Sequence, residues 1–255
     1  MAWSFRGFRR LASVVTLALL GWQAAAQEAP AVATAARYEG PTNRYPHNIM
    51  GSIPGRTDLV VTLQTGGRTQ TVTVRQPDHL VFEDFAPRLI DLNRDGRPEI
   101  VTVESDRDRG ARLTVWDVIT QEGRPGLRRG ASTEYTGTAF RWLAPIGAAD
   151  FDGDGAIELA YVEKPHLSRV LKLVRREGDR LIEVDRVIGV TNHAIGQETV
   201  QSRIALCSDG PRAVLLDGGG TRMVAVRFDR AEPQVKDLGA APARMVLGDT
   251  EACDG

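Results

Sequence analysis

Two stretches of the chain, DLNRDGRPEIVTVE at 91–104 and DFDGDGAIELAYVE at 150–163, carry one pattern twice. Each begins acid–x–Asn/Asp–x–Asp–Gly, reaches a Glu at the ninth place, and runs on into an apolar segment. Asp91 and Asp150 stand 59 residues apart, and Glu99, Val103 and Glu104 align with Glu158, Val162 and Glu163. The next runs match as well, ARLTVWDV (111–118) against SRVLKLVR (168–175), after a linking loop two residues shorter. A unit of about 40–60 residues built from short strands is the size of a propeller blade.

Outward from these two segments the chain reads as strand after short strand. Upstream lie DLVVTL (58–63), TQTVTV (69–74) and HLVFED (79–84); downstream lie RIALCS (203–208), RAVLLD (212–217), RMVAVRF (222–228) and QVKDL (234–238). Several alternate apolar with polar residues, the period of a half-buried antiparallel strand, and Gly, Asp-Gly and Pro separate them. Helical periodicity is almost missing. The expectation is an all-β fold, a small β-propeller of about four to five four-stranded blades. The first blade's inner strand is expected near HNIMGSI (47–53), and ARMVLGD (243–249) either opens a fifth unit or closes the ring.

The acidic turns have the residue types and spacing of a hard-cation cage. Asp91, Asn93 and Asp95 occupy alternate positions before Gly96, with Glu99 ninth; Asp150, Asp152, Asp154, Gly155 and Glu158 repeat the arrangement. Calcium takes six to eight oxygens in a flexible shell, and side chains at places one, three and five converge when the chain turns tightly after the fifth. The main-chain carbonyls of Arg97 and Ala156, at place seven, would add to the shell. An EF-hand opens in the same way but needs a bidentate Glu at place twelve and flanking helices. Place twelve here is Thr102 or Tyr161, ahead of a strand. Magnesium, with its strict small octahedron, fits such a loop less well. The competing explanation is a pair of hairpin turns with acidic decoration, against which stand the two matching copies.

On these residues the chain resembles the FG-GAP or VCBS repeat, found in integrin α-subunit-type β-propellers and in secreted bacterial proteins. The resemblance is specific at 86–104 and 144–163 and extends across about 45–250. It implies that the loop between the first and second strands of a blade binds Ca²⁺ through Asp91, Asn93, Asp95, Arg97 (main chain) and Glu99. In the second copy the set is Asp150, Asp152, Asp154, Ala156 (main chain) and Glu158. The family's Phe-Gly dipeptide is missing, CSDGPRAV (207–214) has lost the acidic set, and Asp249, Glu251 and Asp254 have no strand after them.

The first 26 residues have the anatomy of a secretory signal: Arg6, Arg9 and Arg10, then an apolar stretch from Leu11 to Trp22, then Ala24-Ala25-Ala26. A dozen apolar residues fall short of the ~20 that span a bilayer. The expected layout is a signal peptide at 1–26, a flexible lead-in at 27–40, and the propeller domain at 41–255. No membrane span is expected after cleavage, and the product is periplasmic or secreted. Cleavage removes three arginines and no acid from a chain of formal charge −1, leaving −4. A mildly acidic chain without a basic block is not a nucleic-acid binder. Cys207 and Cys253 are the only cysteines; in an oxidising compartment they either pair or remain two thiols.

The histidines, His47, His79, His166 and His193, are scattered and show no metal-enzyme spacing. His47 and His193 each precede a Gly-containing segment, as equivalent blade corners would, though loop histidines are ordinarily structural. No G-x-S-x-G elbow occurs, and Trp116, Trp142, Tyr135, Phe140 and Phe151 are expected in the core. The functional expectation is therefore a non-enzymatic module for a protein or glycan partner, stiffened by Ca²⁺. The alternative is a hydrolase with its site in the propeller channel.

Overall fold

The computed structural model describes residues 1, 30–229, 231–242 and 252–253. The expected signal peptide and the ARMVLGD strand lie outside the described residues. Within them the chain forms four antiparallel sheets in sequence order. The first joins β1 (Val32–Thr42), β2 (Gly55–Thr65) and β3 (Arg68–Arg75). In the second, β4 (Leu80–Phe82) and β5 (Arg88–Ile90) both pair with β6 (Glu99–Asp106), followed by β7 (Gly110–Gln121) and β8 (Arg124–Ser132). The third is an unbroken meander of β9 (Leu143–Ala149), β10 (Glu158–Glu163), β11 (Val170–Glu177) and β12 (Arg180–Ile188). In the fourth, β13 (Val190–Thr191) and β14 (Arg203–Cys207) share β15 (Gly210–Asp217), which continues to β16 (Arg222–Arg227) and β17 (Gln234–Ala240).

The sheets stack face to face because their strands alternate at period two, sending successive side chains into different layers. Along β10, Leu159 and Tyr161 join the layer shared with the second sheet, while Ala160 and Val162 join the layer shared with the fourth. On β15, Ala213 and Leu215 face the third sheet, and Val214 and Leu216 face outward onto Ala252. Leu59, Val61 and Leu63 of β2 pack on Phe82, Ile100 and Trp116 of the second sheet. Adjacent sheets touch through single bridges, Arg56 with Phe82 and a parallel one between Arg180 and Ser132. Curled sheets layered in this manner make a β-propeller-like fold. A disulfide between Cys207 and Cys253, with Cα atoms 5.3 Å apart, fastens residues 252–253 to the outer face of the fourth sheet.

Four details differ from expectation. Residues 32–40, read as lead-in because they are Ala-rich and aperiodic, belong to β1, whose pairing runs the length of β2. Backbone hydrogen bonding needs no side-chain pattern, and β2 is nearly buried along its middle, so β1 covers it. Residues 47–53 form a loop rather than a strand, with Asn48 and Gly51 at positive φ (54° and 64°). HLVFED supplies β4, the inner strand of the second sheet, so the first sheet has three strands. Of the aromatics expected in the core, Trp116, Trp142 and Phe151 are buried, but Tyr135 is half-buried and Phe140 is 44% exposed. No helix among the described residues is long and apolar enough to cross a membrane.

Candidate metal centre: the two acidic turns

The two acidic segments occupy equivalent places, the first between β5 and β6 and the second between β9 and β10. Each is closed by its own carboxylates accepting from backbone N–H groups. In the first turn Asp91 accepts from the amides of Asp95 (3.1 Å) and Gly96 (2.8 Å), Asn93 from Asp95 (2.9 Å), and Asp95 from Arg97 (2.8 Å). In the second, Asp150 accepts from Gly155 (3.0 Å), Asp152 from Asp154 (3.0 Å), and Asp154 from Ala156 (2.8 Å). The ninth-place glutamates reach back the same way, Glu99 to the Leu92 amide (3.0 Å) and Glu158 to the Phe151 amide (2.9 Å). Gly96 and Gly155 sit at φ 79° and 94°, where a Cβ is disfavoured, so the turn after the fifth ligand place depends on glycine. Arg94 takes φ 59° where the second turn has Gly153.

The turns differ in what they bring together. Asp150, Asp152 and Glu158 each place a carboxylate oxygen within 4.8 Å of the others. Asp150 Oδ1 is buried and has no hydrogen-bond partner, while Oδ2 accepts from Gly155 and from Arg94 of the first turn (3.2 Å). A buried carboxylate oxygen without a donor is costly and suits a cation. That donor set, all carboxylate and clustered at one turn, fits Ca²⁺ chemistry. In the first turn both oxygens of Asp91 are spent on amides. Asn93 turns its amide group to Asp95 and Glu99, each at 3.3 Å. At places seven, Arg97 and Ala156 donate their N–H groups back into the turn.

Arginines on one strand answer both turns. Neighbours Arg175 and Arg176 of β11 point to opposite faces, as consecutive strand residues do. Arg175 pairs with Glu158 (2.6 Å), Asp154 (2.7 Å) and Asp152 (3.3 Å). Arg176 crosses to the second sheet, meeting Asp117 at 2.7 Å and Glu99 at 3.8 Å. Burial pushes the carboxyls of Glu99 and Glu158 above their ordinary value, and Arg175 pulls Glu158 part of the way back. Sequence spacing identified the acids but not these guanidiniums. The signal was present in the register: Glu158 faces Arg175 across β10 and β11, while in the first turn the ladder ends with Ile100 opposite Trp116 and the next residue, Asp117, raises Glu99 by its charge.

A layered, all-β propeller-like body with acidic turns at equivalent places in two successive sheets has the character of a blade-repeat protein. Residues 91–161, both acidic turns and everything between them, match the family model of the FG-GAP-like repeat. The chain thus carries an FG-GAP-like repeat over that stretch. No curated protein and no solved structure matches the chain.

Proposed function

We propose that this protein is an extracytoplasmic calcium-binding propeller-like module, periplasmic or secreted, which binds a protein or glycan partner rather than catalysing a reaction. The observation that carries the metal reading is the unpartnered Asp150 Oδ1 beside Asp152 and Glu158. Asp154 and the Ala156 carbonyl would extend that shell, and Asp91, Asn93, Asp95, Glu99 and the Arg97 carbonyl would form the second. The ion's part is structural: it neutralises carboxylates held in one turn and stabilises the folded state by binding it preferentially. Export is supported by the arginine, apolar and Ala-rich order of residues 1–26 and by the disulfide, which persists in oxidising compartments.

Melting of verified metal-free protein tests the reading. Calcium at a hundredfold excess over its Kd adds about 2.7 kcal/mol, or roughly 5–10 °C in Tm for a chain of this size. Calorimetry of the Asp154→Ala and Asp95→Ala variants should lose about one equivalent each. An unchanged melting curve on adding calcium removes the metal role.

A further inference from the structure

Three of the four histidines, far apart in sequence, meet around Trp142 at the opposite end of the sheets from the acidic turns. Trp142 immediately precedes β9 where that strand pairs with Glu163, about 17 Å of strand away from Glu158. His193 and His166 both lie within ring-contact distance of the indole, at 4.9 and 6.4 Å between centroids, and His47 contacts Phe140 at 5.4 Å. The indole N–H donates to the Glu83 carbonyl at 2.7 Å.

The hydrogen bonds fix what these rings offer. A carbonyl only accepts, so His193 carries its proton on Nε2, donating to Gln197 at 2.9 Å. Its Nδ1 then accepts from His166 Nε2 at 3.0 Å. Burial, with His193 and His47 nearby, lowers His166 to about 4, so at neutral pH its Nδ1 holds a lone pair. His47 donates from Nδ1 to the buried carboxylate of Glu83 at 2.7 Å, which also accepts from Ser105 at 2.5 Å.

Between them lies a cleft of about 280 Å³ walled mainly by Ile49, Phe140, Trp142, Leu167 and Ile195. A second lobe of about 320 Å³ shares His166 and Ile195 and extends to glycines 218–220. Phe140, Leu167 and Ile195 remain 44%, 59% and 70% exposed around the mouth, an apolar rim on a charged surface. Phe140 and Lys164 both hold positive φ, 55° and 48°. A bulky residue in that region is strained, and here Tyr45 Oη accepts the Phe140 amide at 2.6 Å to hold it. Neither the blade repeat nor the acidic turns accounts for an aromatic kept in solvent at such a cost.

We propose that this cleft is the docking site for a partner polypeptide, taking one tyrosine or tryptophan side chain from a segment with acidic residues on either side. The inference deepens the binding-module reading and rests on it, but not on calcium. Apolar walls with a few fixed polar groups are the usual make-up of a ligand pocket, and its volume suits one aromatic side chain. The lone pair of His166 asks for a phenol or indole donor. Arg141 and Arg169, which adjoin the two lobes, complement flanking carboxylates, while Lys164 is already paired with Glu163 at 3.5 Å. The exposed apolar rim offers contact beyond the pocket, as a chain around an anchor residue needs and a small free molecule does not.

Fluorescence anisotropy on the full chain, in calcium, tests this with short labelled peptides carrying a central tyrosine flanked by aspartates. The expected result is saturable binding, weakened about tenfold or more when alanine replaces the tyrosine or lysines replace the aspartates. Ile195→Asp, at an exposed position, should abolish binding with an unchanged melting curve, and His166→Leu should weaken the tyrosine peptide while sparing a phenylalanine one. Equal binding of the alanine and tyrosine peptides overturns the proposal, as does indifference to Ile195→Asp or absence of saturation. Free N-acetyltyrosinamide binding as tightly as the peptide overturns the polypeptide assignment. If peptides fail while calcium still raises Tm, the cleft proposal falls and the metal reading stands; peptide binding with no calcium effect gives the reverse.

Discussion

The turns at 91–99 and 150–158 share spacing, closure and place in the fold, yet they are charged differently. Opposite the ninth-place glutamate the second turn has Arg175, a cation of its own, whereas in the first the ladder ends with Ile100 opposite Trp116, and the charge felt by Glu99 from the next residue, Asp117, is that of one more acid. Arg176, the next residue on β11, neutralises that acid from the neighbouring blade. The ninth-place glutamate of the second turn therefore finds its arginine within its own sheet, and that of the first finds one only across an interface. A repeat can keep its ligand positions while moving the compensating charge, because adjacent strand residues project to opposite faces. The ligand pattern alone does not fix how tightly either turn holds an ion.

The largest effect should come from removing the glutamates. Glu158 has no exposed side-chain surface, and it accepts from Arg175 twice and from the Phe151 amide. Glu158→Ala leaves the buried Phe151 amide without its acceptor and takes from Arg175 its one fully buried partner, and should cost about 3–5 kcal/mol in urea unfolding with chelator present. Glu99 is held by one backbone amide, a longer bond from the Asn93 side chain and a looser contact to Arg176, so Glu99→Ala should cost about 1–3 kcal/mol. Equal costs would mean that the two turns are energetically alike, and the contrast drawn from their partners would fail.

Replacing the arginine sharpens the same contrast. Arg175 occupies space and charge beside Asp152, Asp154 and Glu158 that a divalent ion would share. Arg175→Gln should lower stability in chelator, yet raise calcium affinity about tenfold, ~1.4 kcal/mol, because carboxylates no longer divide between two cations. Arg176→Gln, on the other face of the strand, should leave the second turn's affinity unaltered. Calorimetric titration of both variants decides it; unchanged affinity in Arg175→Gln would mean that the guanidinium and the ion do not compete.

How much of this was legible in the sequence follows from range. The paired turns and the strands of the second, third and fourth sheets declared themselves because Asp-Gly punctuation and period-two alternation are local. In the first sheet β2 and β3 did so too, but β1 did not, since it is specified by its pairing with β2 rather than by its own Ala-rich composition. The acids of the cage could be named from spacing. The orphaned oxygen of Asp150 and the arginines of β11 could not, because they depend on how sheets stack and on register across strands. The histidines read as scattered for the same reason. His47, His166 and His193 enter from three separate loops, and the bond from Gly196 to the Ile49 carbonyl (3.1 Å) that joins two of those loops has no sequence signature.

The smallest expected effect concerns Asp117, the acid that Arg176 meets from the neighbouring sheet. Burial pushes its carboxyl up, but hydrogen bonds and charge from Arg176 and Arg128 outweigh that and hold it below the ordinary 3.8. A carboxyl lowered by folding contributes stability that is complete above its unfolded value and is lost as pH falls through 3.8 toward the folded value. Arg128 is largely solvent-exposed and screens the gain, so the contribution should stay under about 1 kcal/mol. Asp117→Asn should therefore flatten the stability profile below pH 4 without moving it near neutrality, read from urea midpoints across that range. If the variant's acid limb matches the parent's, Arg176 is not compensating Asp117, and the first turn's charge is balanced from elsewhere.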